Sequence, residues 1–350
     1  MISNSATTSE QKRVRSWGWI VQKGTFDWLM VVLSIVFVSG LLLDGWAHAH
    51  GKVDSSFFTP WHAAFYTGFG LVALLLAADT GLAVLRGEPL SLLRRPGYEL
   101  AHIGAPLFAL GGVGDLVWHQ LFGIERGIEA LLSPTHLLLV TSMVLIVSAP
   151  FRSANNVSDM KSWQVQLRSV ISLSLALLLL SFITEFANPI VEPQVQNSVY
   201  RSTEAIQGIT SFIVYPALLM GATLLLLRRG PPIPGALTLM YTLNAAGLSV
   251  LNDTYGMIGI AALTGIIADI LIAVIRPAPQ RRIALYCFAF CVPAIFTLSY
   301  MLSIMVFDRM LWRVHLWSGA VFLAGATGLL LSLLIANTET ASPSHEGAQV

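Results

Sequence analysis

Charge is scarce in this sequence. Only 11% of its 350 residues are Asp, Glu, Lys or Arg, where an ordinary soluble domain carries about a quarter. The 20 basic and 19 acidic residues nearly cancel to a net charge of +1. No basic field is left to hold phosphates, so nucleic acid is excluded as a partner. Two cysteines exclude a disulfide framework. The sequence also lacks the phosphate-binding Gly-x4-Gly-Lys-[Ser/Thr] loop, a His-Glu-x-x-His helix, a Gly-x-Ser-x-Gly elbow and the eight-histidine set of membrane di-iron hydroxylases.

What the chain has instead is apolar length, with 55% hydrophobic residues. A bilayer core takes about 20 apolar residues per helix. Ten stretches meet that demand, at 26–46, 61–85, 98–121, 132–150, 166–187, 205–227, 235–251, 255–275, 284–307 and 312–336. The seventh and eighth are separated by Asn252-Asp253-Thr254 alone, so a single broken helix is the alternative there. The expected fold is all-α, a polytopic transmembrane helical bundle. Its expected parts are an N-terminal segment (1–25), a four-span unit (26–150), a further bundle of about six spans (151–336) and a polar tail (337–350).

Alternating loops place fifteen of the 20 Lys and Arg on one side, among them Arg13, Arg15, Arg94, Arg95, Arg228 and Arg282, and five on the other. The positive-inside rule then puts both termini in the cytoplasm of a multi-pass cell-membrane protein. Trp17, Trp19, Trp28 and Trp163 fall at the inner boundary, and Trp46, Trp61, Trp118 and Trp312 at the outer one. The first apolar stretch reads as an uncleaved signal anchor. The expected partners are lipid and, through the later spans, other membrane subunits.

Five of the eight histidines cluster at the first two outer loops. The first hairpin reads Asp44-Gly-Trp-Ala-His48 and then Thr59-Pro60-Trp61-His62. The second reads Asp115-Leu-Val-Trp-His119 and then Ser133-Pro134-Thr135-His136. Both are Asp-x3-His, a loop, and [Ser/Thr]-Pro-x-His, which marks a duplicated helical hairpin. Asp and His four apart share a helix face. A hydroxyl residue followed by Pro starts a helix, as N-cap and N1, so His62 and His136 fall in first turns. Each hairpin offers one carboxylate and two imidazoles at one end, a donor set suited to Zn, Cu or Fe. The predicted metal ligands are therefore Asp44, His48, His62, Asp115, His119 and His136. They satisfy either two sites or one pooled site. His50, Glu125 and Glu129 are further candidates, the glutamates as partners of the imidazoles or as a proton relay.

The run Asp115-Leu-Val-Trp118-His119-Gln120, then Arg126, then Ser133-Pro134-Thr135-His136, resembles the intramembrane metal-binding stretch of the particulate methane and ammonia monooxygenases. The resemblance implies metal ligation by Asp115, His119 and His136 and suggests copper and oxygen chemistry. It covers about 25 residues. The 17-residue gap between His119 and His136, the ten expected spans and the repeat in the first hairpin all depart from that family. Elsewhere the chain resembles multi-span bacterial membrane proteins.

Several other residues invite a role. Asp79 and Asp269 are expected to pair with inner arginines such as Arg86 or Arg276, and His102 to be satisfied within the bundle. Glu185 and Glu204 form a faint echo of the hairpin pattern. Cys287 and Cys291, with Met301 and Met305, read as packing, or as a soft-metal stripe. Three functions remain: a metal-dependent oxidase or hydroxylase, a copper or zinc uptake or delivery protein, and a structural or assembly protein without metal.

Overall fold

The computed structural model describes residues 23–52, 58–85, 87, 95–123, 125, 127–156, 161–192 and 203–336. The N-terminal segment before residue 23, the tail after 336, Trp17, Trp19, Arg86, Arg94 and Arg126 lie outside the described residues. The fold is all-α, as the apolar periodicity requires. Its helices are α1 (Lys23–Ala49), α2 (Pro60–Leu85), α3 (Glu99–Phe122), α4 (Ile128–Leu132), α5 (Pro134–Val147), α6 (Ala149–Ser153), α7 (Trp163–Ile183), α8 (Thr203–Leu227), α9 (Ala236–Asn252), α10 (Gly256–Ile275), α11 (Arg282–Phe307) and α12 (Val314–Ala336).

Among the described residues, nine helical stretches are long and apolar enough to cross a membrane, with α5 and α6 running on as one. Their outer faces stay apolar: Leu74 and Leu110 are each about two-thirds exposed, which suits lipid and not water. The seventh expected span is α9, a helix of only 17 residues. At 1.5 Å per residue it reaches about 25 Å, short of the roughly 30 Å hydrocarbon core. It ends at Asp253, whose φ of 56° is a left-handed turn that Asp tolerates better than most residues.

The chain forms two compact units. One comprises the described residues up to Glu185 together with Ala246–Tyr255; the other comprises Phe186–Ala245 and Gly256 onward. In the second unit α11 packs on α12, α10 on α11, and α8 on both α11 and α12. The start of α9 is capped from α10: Asp269 accepts the backbone N–H of Leu237 (3.2 Å) and Thr238 (3.0 Å) and the Thr238 hydroxyl (2.7 Å). Asp269 therefore serves a helix start, not the expected Arg276. Two pairs of buried polar groups in this unit satisfy one another, Tyr215 donating to Asn244 (2.9 Å) and Thr223 meeting Tyr241 (2.7 Å).

The first unit carries the duplication. Helix α1 packs on α2, and α3 on α5, with α7 against α1 and α5. Two residue pairs 71 apart meet, one between α1 and α3 and one between α1 and the residue that precedes α3. Phe37 and Phe108 cross edge to face with centroids 5.0 Å apart, and the Tyr98 hydroxyl donates to Asp27 at 2.8 Å. Phe65 and Phe69 complete the aromatic core around Phe37 and Phe108. Gly40 and Gly111 are also equivalent. A Cβ on Gly40 would lie 2.8 Å from the Phe65 Cα, and one on Gly111 would lie 3.0 Å from the Leu139 side chain. Phe65 and Leu139 are themselves 74 apart, so both hairpins close at the same place, one turn before the Asp.

At the opposite end of α1, charges are buried in pairs. Asp27 lies 3.8 Å from Arg168, which also donates to the Gly24 carbonyl at 2.6 Å. Arg95 clamps Asp79 with bonds of 2.7, 3.1 and 3.2 Å and lies over the Phe26 ring. Asp79 thus pairs with an arginine, as expected, and it is Arg95.

Candidate metal centre

The second hairpin builds its triad from three local features. Ser133 caps α5, its hydroxyl accepting the His136 N–H at 3.3 Å, and Pro134 opens the helix. That fixes His136 in the first turn. Asp115, 1% exposed, sits one helical turn before His119 on α3. Asp115 Oδ1 then lies 3.1 Å from His136 Nε2 and 3.5 Å from His119 Nε2, and accepts the Thr135 hydroxyl at 2.9 Å.

The far nitrogens decide what these rings present. His119 Nδ1 meets the Gly123 carbonyl at 3.2 Å, and His136 Nδ1 meets the Ala130 carbonyl on α4. A carbonyl only accepts, so each Nδ1 carries the hydrogen. In a neutral ring Nε2 then offers its lone pair toward Asp115. Two lone pairs and a carboxylate oxygen converging on one point repel unless a proton or a metal cation lies between them. Tetrahedral coordination at 2.0–2.1 Å sets neighbouring donor atoms about 3.3 Å apart. The 3.1 and 3.5 Å separations bracket that value.

The first hairpin repeats the arrangement more loosely. Thr59 accepts the His62 N–H at 3.1 Å, and its hydroxyl also meets His62 Nδ1 at 3.0 Å. Asp44 Oδ2 lies 3.7 Å from His62 Nε2 and 3.9 Å from His48 Nε2. Asp44 is 8% exposed, and its Oδ1 is buried with no hydrogen-bond partner among the described residues. A buried carboxylate oxygen left without a donor costs free energy; a cation there would remove that cost. In each triad one donor atom per residue lies within 4.8 Å of the others, and these two triads are the Asp/His groups of metal-binding shape among the described residues.

Both triads line one cavity of about 980 Å³ within the first unit. Its remaining wall is mostly apolar, with Leu41, Phe65, Leu139, Val140, Met143 and Phe182, and it includes Glu125 and Glu185. All six sequence-predicted ligands are therefore together, arranged as two threes rather than one pooled six. Glu125 joins them: Trp118 Nε1 donates to one of its oxygens, while the other is buried without a hydrogen bond among the described residues, 4.0 Å from His136 Nδ1.

Two further candidates are not brought in. His50 stacks on Trp46 with centroids 4.6 Å apart. Its Nδ1 bonds the Trp46 carbonyl (2.8 Å) and its Nε2 bonds Asp253 (3.0 Å), so neither nitrogen is available to a metal. The bond to Asp253, then that to Trp46, raises the His50 pKa above its ordinary 6.5, and the same bond to His50 lowers Asp253. Glu129 is exposed on α4 and absent from the cavity wall. Cys287 is exposed on α11, Cys291 partly so. What the spacing pattern missed is the Thr135 bond to Asp115 and the two carbonyl anchors. Thr135 carries a weak signal, as the hydroxyl between Pro134 and His136; the carbonyls carry none.

Comparison of the chain with protein-family models, curated proteins and solved structures gave no match. The chemistry of the site rests on its geometry.

Proposed function

We propose that this chain is a multi-pass cell-membrane metalloprotein whose Asp/His triads bind Zn, Cu or Fe and serve a metal-dependent oxidase or hydroxylase acting on a lipid-soluble substrate. The observation that carries this reading is the convergence of two duplicated Asp/His/His triads on a single cavity whose remaining wall is mostly apolar. A bound ion of this class supplies Lewis acidity and activates water or oxygen at neutral pH. The protein side does the rest. Asp44 and Asp115 contribute the negative charge, and the carbonyl-anchored imidazoles hold their lone pairs in place. Leu41, Phe65, Leu139 and Val140 exclude water and accept an apolar group. Glu125, fixed by Trp118 through one oxygen, has its other oxygen placed to take a proton. The charge bias of the loops supports an outward-facing cavity with both termini inside. The monooxygenase-like run around His119 agrees with copper as the metal.

A transport role would need an inward relay of ligands. Asp79 is clamped by Arg95 and Asp269 is spent on the start of α9, which favours catalysis. Elemental analysis of the detergent-purified protein tests the proposal. Stoichiometric metal in the wild type and its loss in the His119→Ala/His136→Ala double variant are expected. Metal content unchanged by that double substitution would end this reading.

A further inference from the structure

The two triads are alike in sequence and unlike in how they are held, and the difference has a functional meaning. Resting on the metal-binding reading above, we infer that they are two metal sites of unequal affinity in one cavity. Asp115, His119 and His136 hold a resident divalent transition-metal ion; Asp44, His48 and His62 take a second, exchangeable one.

Preorganisation separates them. In the second hairpin the donor atoms already stand 3.1 and 3.5 Å apart, close to the roughly 3.3 Å that tetrahedral ligation imposes. Both imidazoles are pinned by backbone carbonyls, Gly123 for His119 and Ala130 for His136, and Thr135 orients the carboxylate. In the first hairpin the gaps are 3.7 and 3.9 Å, so an ion must draw its ligands inward. His62 Nδ1 meets a rotatable hydroxyl on Thr59 instead of a carbonyl. His48 Nδ1 has no carbonyl anchor among the described residues, and Asp44 has one oxygen without a donor. Outer hydrogen bonds of this kind are each worth about 10- to 100-fold in metal affinity. The cause is visible in the chain. The second loop carries α4, which supplies the Ala130 carbonyl, and Thr135 occupies the position that is Trp61 in the first hairpin, where the indole bonds the Lys52 carbonyl instead. An exchangeable ion beside a resident one suits a cavity in which one metal is structural or poised and the other arrives with the reaction cycle.

The test uses the full chain in detergent, stripped with a chelator and titrated with Zn²⁺ by equilibrium dialysis and elemental analysis. Two ions per chain are expected, bound in steps separated at least about tenfold in Kd. Asp44→Asn, which keeps the shape of the side chain, should remove or weaken the looser step alone, and Asp115→Asn the tighter one. His62→Ala and His136→Ala should repeat that division, with the elution profile and thermal midpoint reporting the fold. Two equal steps, a reversed assignment, or a single ion per wild-type chain that Asp44→Asn and Asp115→Asn each abolish would overturn the inference while leaving the metal reading in place. No bound Zn²⁺ or other metal at all would remove both.

Discussion

Replacing Gly40 by Ala should separate the two proposed metal sites cleanly. The new Cβ would stand 2.8 Å from the Phe65 Cα and 3.2 Å from both the Ala64 carbonyl oxygen and the Phe65 nitrogen. All three are backbone atoms and none can rotate away. Ordinary carbon contacts begin near 3.5–4.0 Å, so α1 and α2 must part by about 1 Å. Overpacking of this kind costs about 1–3 kcal/mol. Asp44 lies one turn beyond Gly40 on α1, and Phe65 three residues beyond His62 on α2. The gap between Asp44 and His62, 3.7 Å in the native protein, would open to about 4.7 Å, well past the ~3.3 Å that ligation needs. The equivalent substitution Gly111→Ala meets side-chain atoms, Leu139 at 3.0 Å and Leu138 at 3.5 Å, and no backbone atom among its three nearest neighbours. Those side chains can shift, so the effect should be milder. Gly70→Ala enters open space and serves as control. Zn²⁺ stoichiometry and the thermal midpoint in detergent are the readouts. Gly40→Ala should lose the weaker ion and several degrees, Gly111→Ala should keep both ions, and Gly70→Ala should match the wild type. A Gly40→Ala protein with a native midpoint and two ions would refute the packing argument.

Asp79→Asn leaves the largely buried Arg95 without its carboxylate; a loss of about 3–5 kcal/mol is expected, read by thermal unfolding, with metal content of the folded fraction unchanged. Asp269→Ala leaves the Leu237 and Thr238 N–H groups uncapped and should cost about 1–2 kcal/mol, again without metal loss. The exposed His50–Asp253 pair has a defined pH window. The Asp253 contribution is present above its ordinary 3.8 and is lost as pH falls through its lowered value, while the His50 contribution is present below its ordinary 6.5 and is lost as pH rises through its raised value. Asp253→Asn should therefore bring the His50 titration, followed by imidazole NMR, down toward 6.5; an unmoved titration would show that the pair does not form.

The local parts of the site were legible because each is written within a few residues. Asp-x3-His fixes a shared helix face, and [Ser/Thr]-Pro-x-His fixes a helix start, so α2 and α5 begin at Pro60 and Pro134 as the pattern demands. The repeat of that pattern announced the duplicated hairpin. The glycines that close both hairpins stand in the sequence too, at 40 and 111, but their meaning depends on Phe65 and Leu139 across the helix pair. The two-site arrangement was not legible, since it follows from how the hairpins pack against each other. His50 shows the same limit: a residue two positions from His48 is claimed by Asp253, 203 residues away. The expected span 235–251 shows another. Its apolar run is real, and the turn at Asp253 ends it at 17 residues.

X-ray absorption at the metal edge of the protein as purified bears most directly on the central claim, that imidazoles and carboxylates of the two hairpins ligate a transition metal. The spectrum should show nitrogen and oxygen neighbours at about 2.0–2.1 Å with the outer-ring scattering of two imidazoles per ion. Sulfur neighbours near 2.3 Å, or a metal with no imidazole signature, would contradict it.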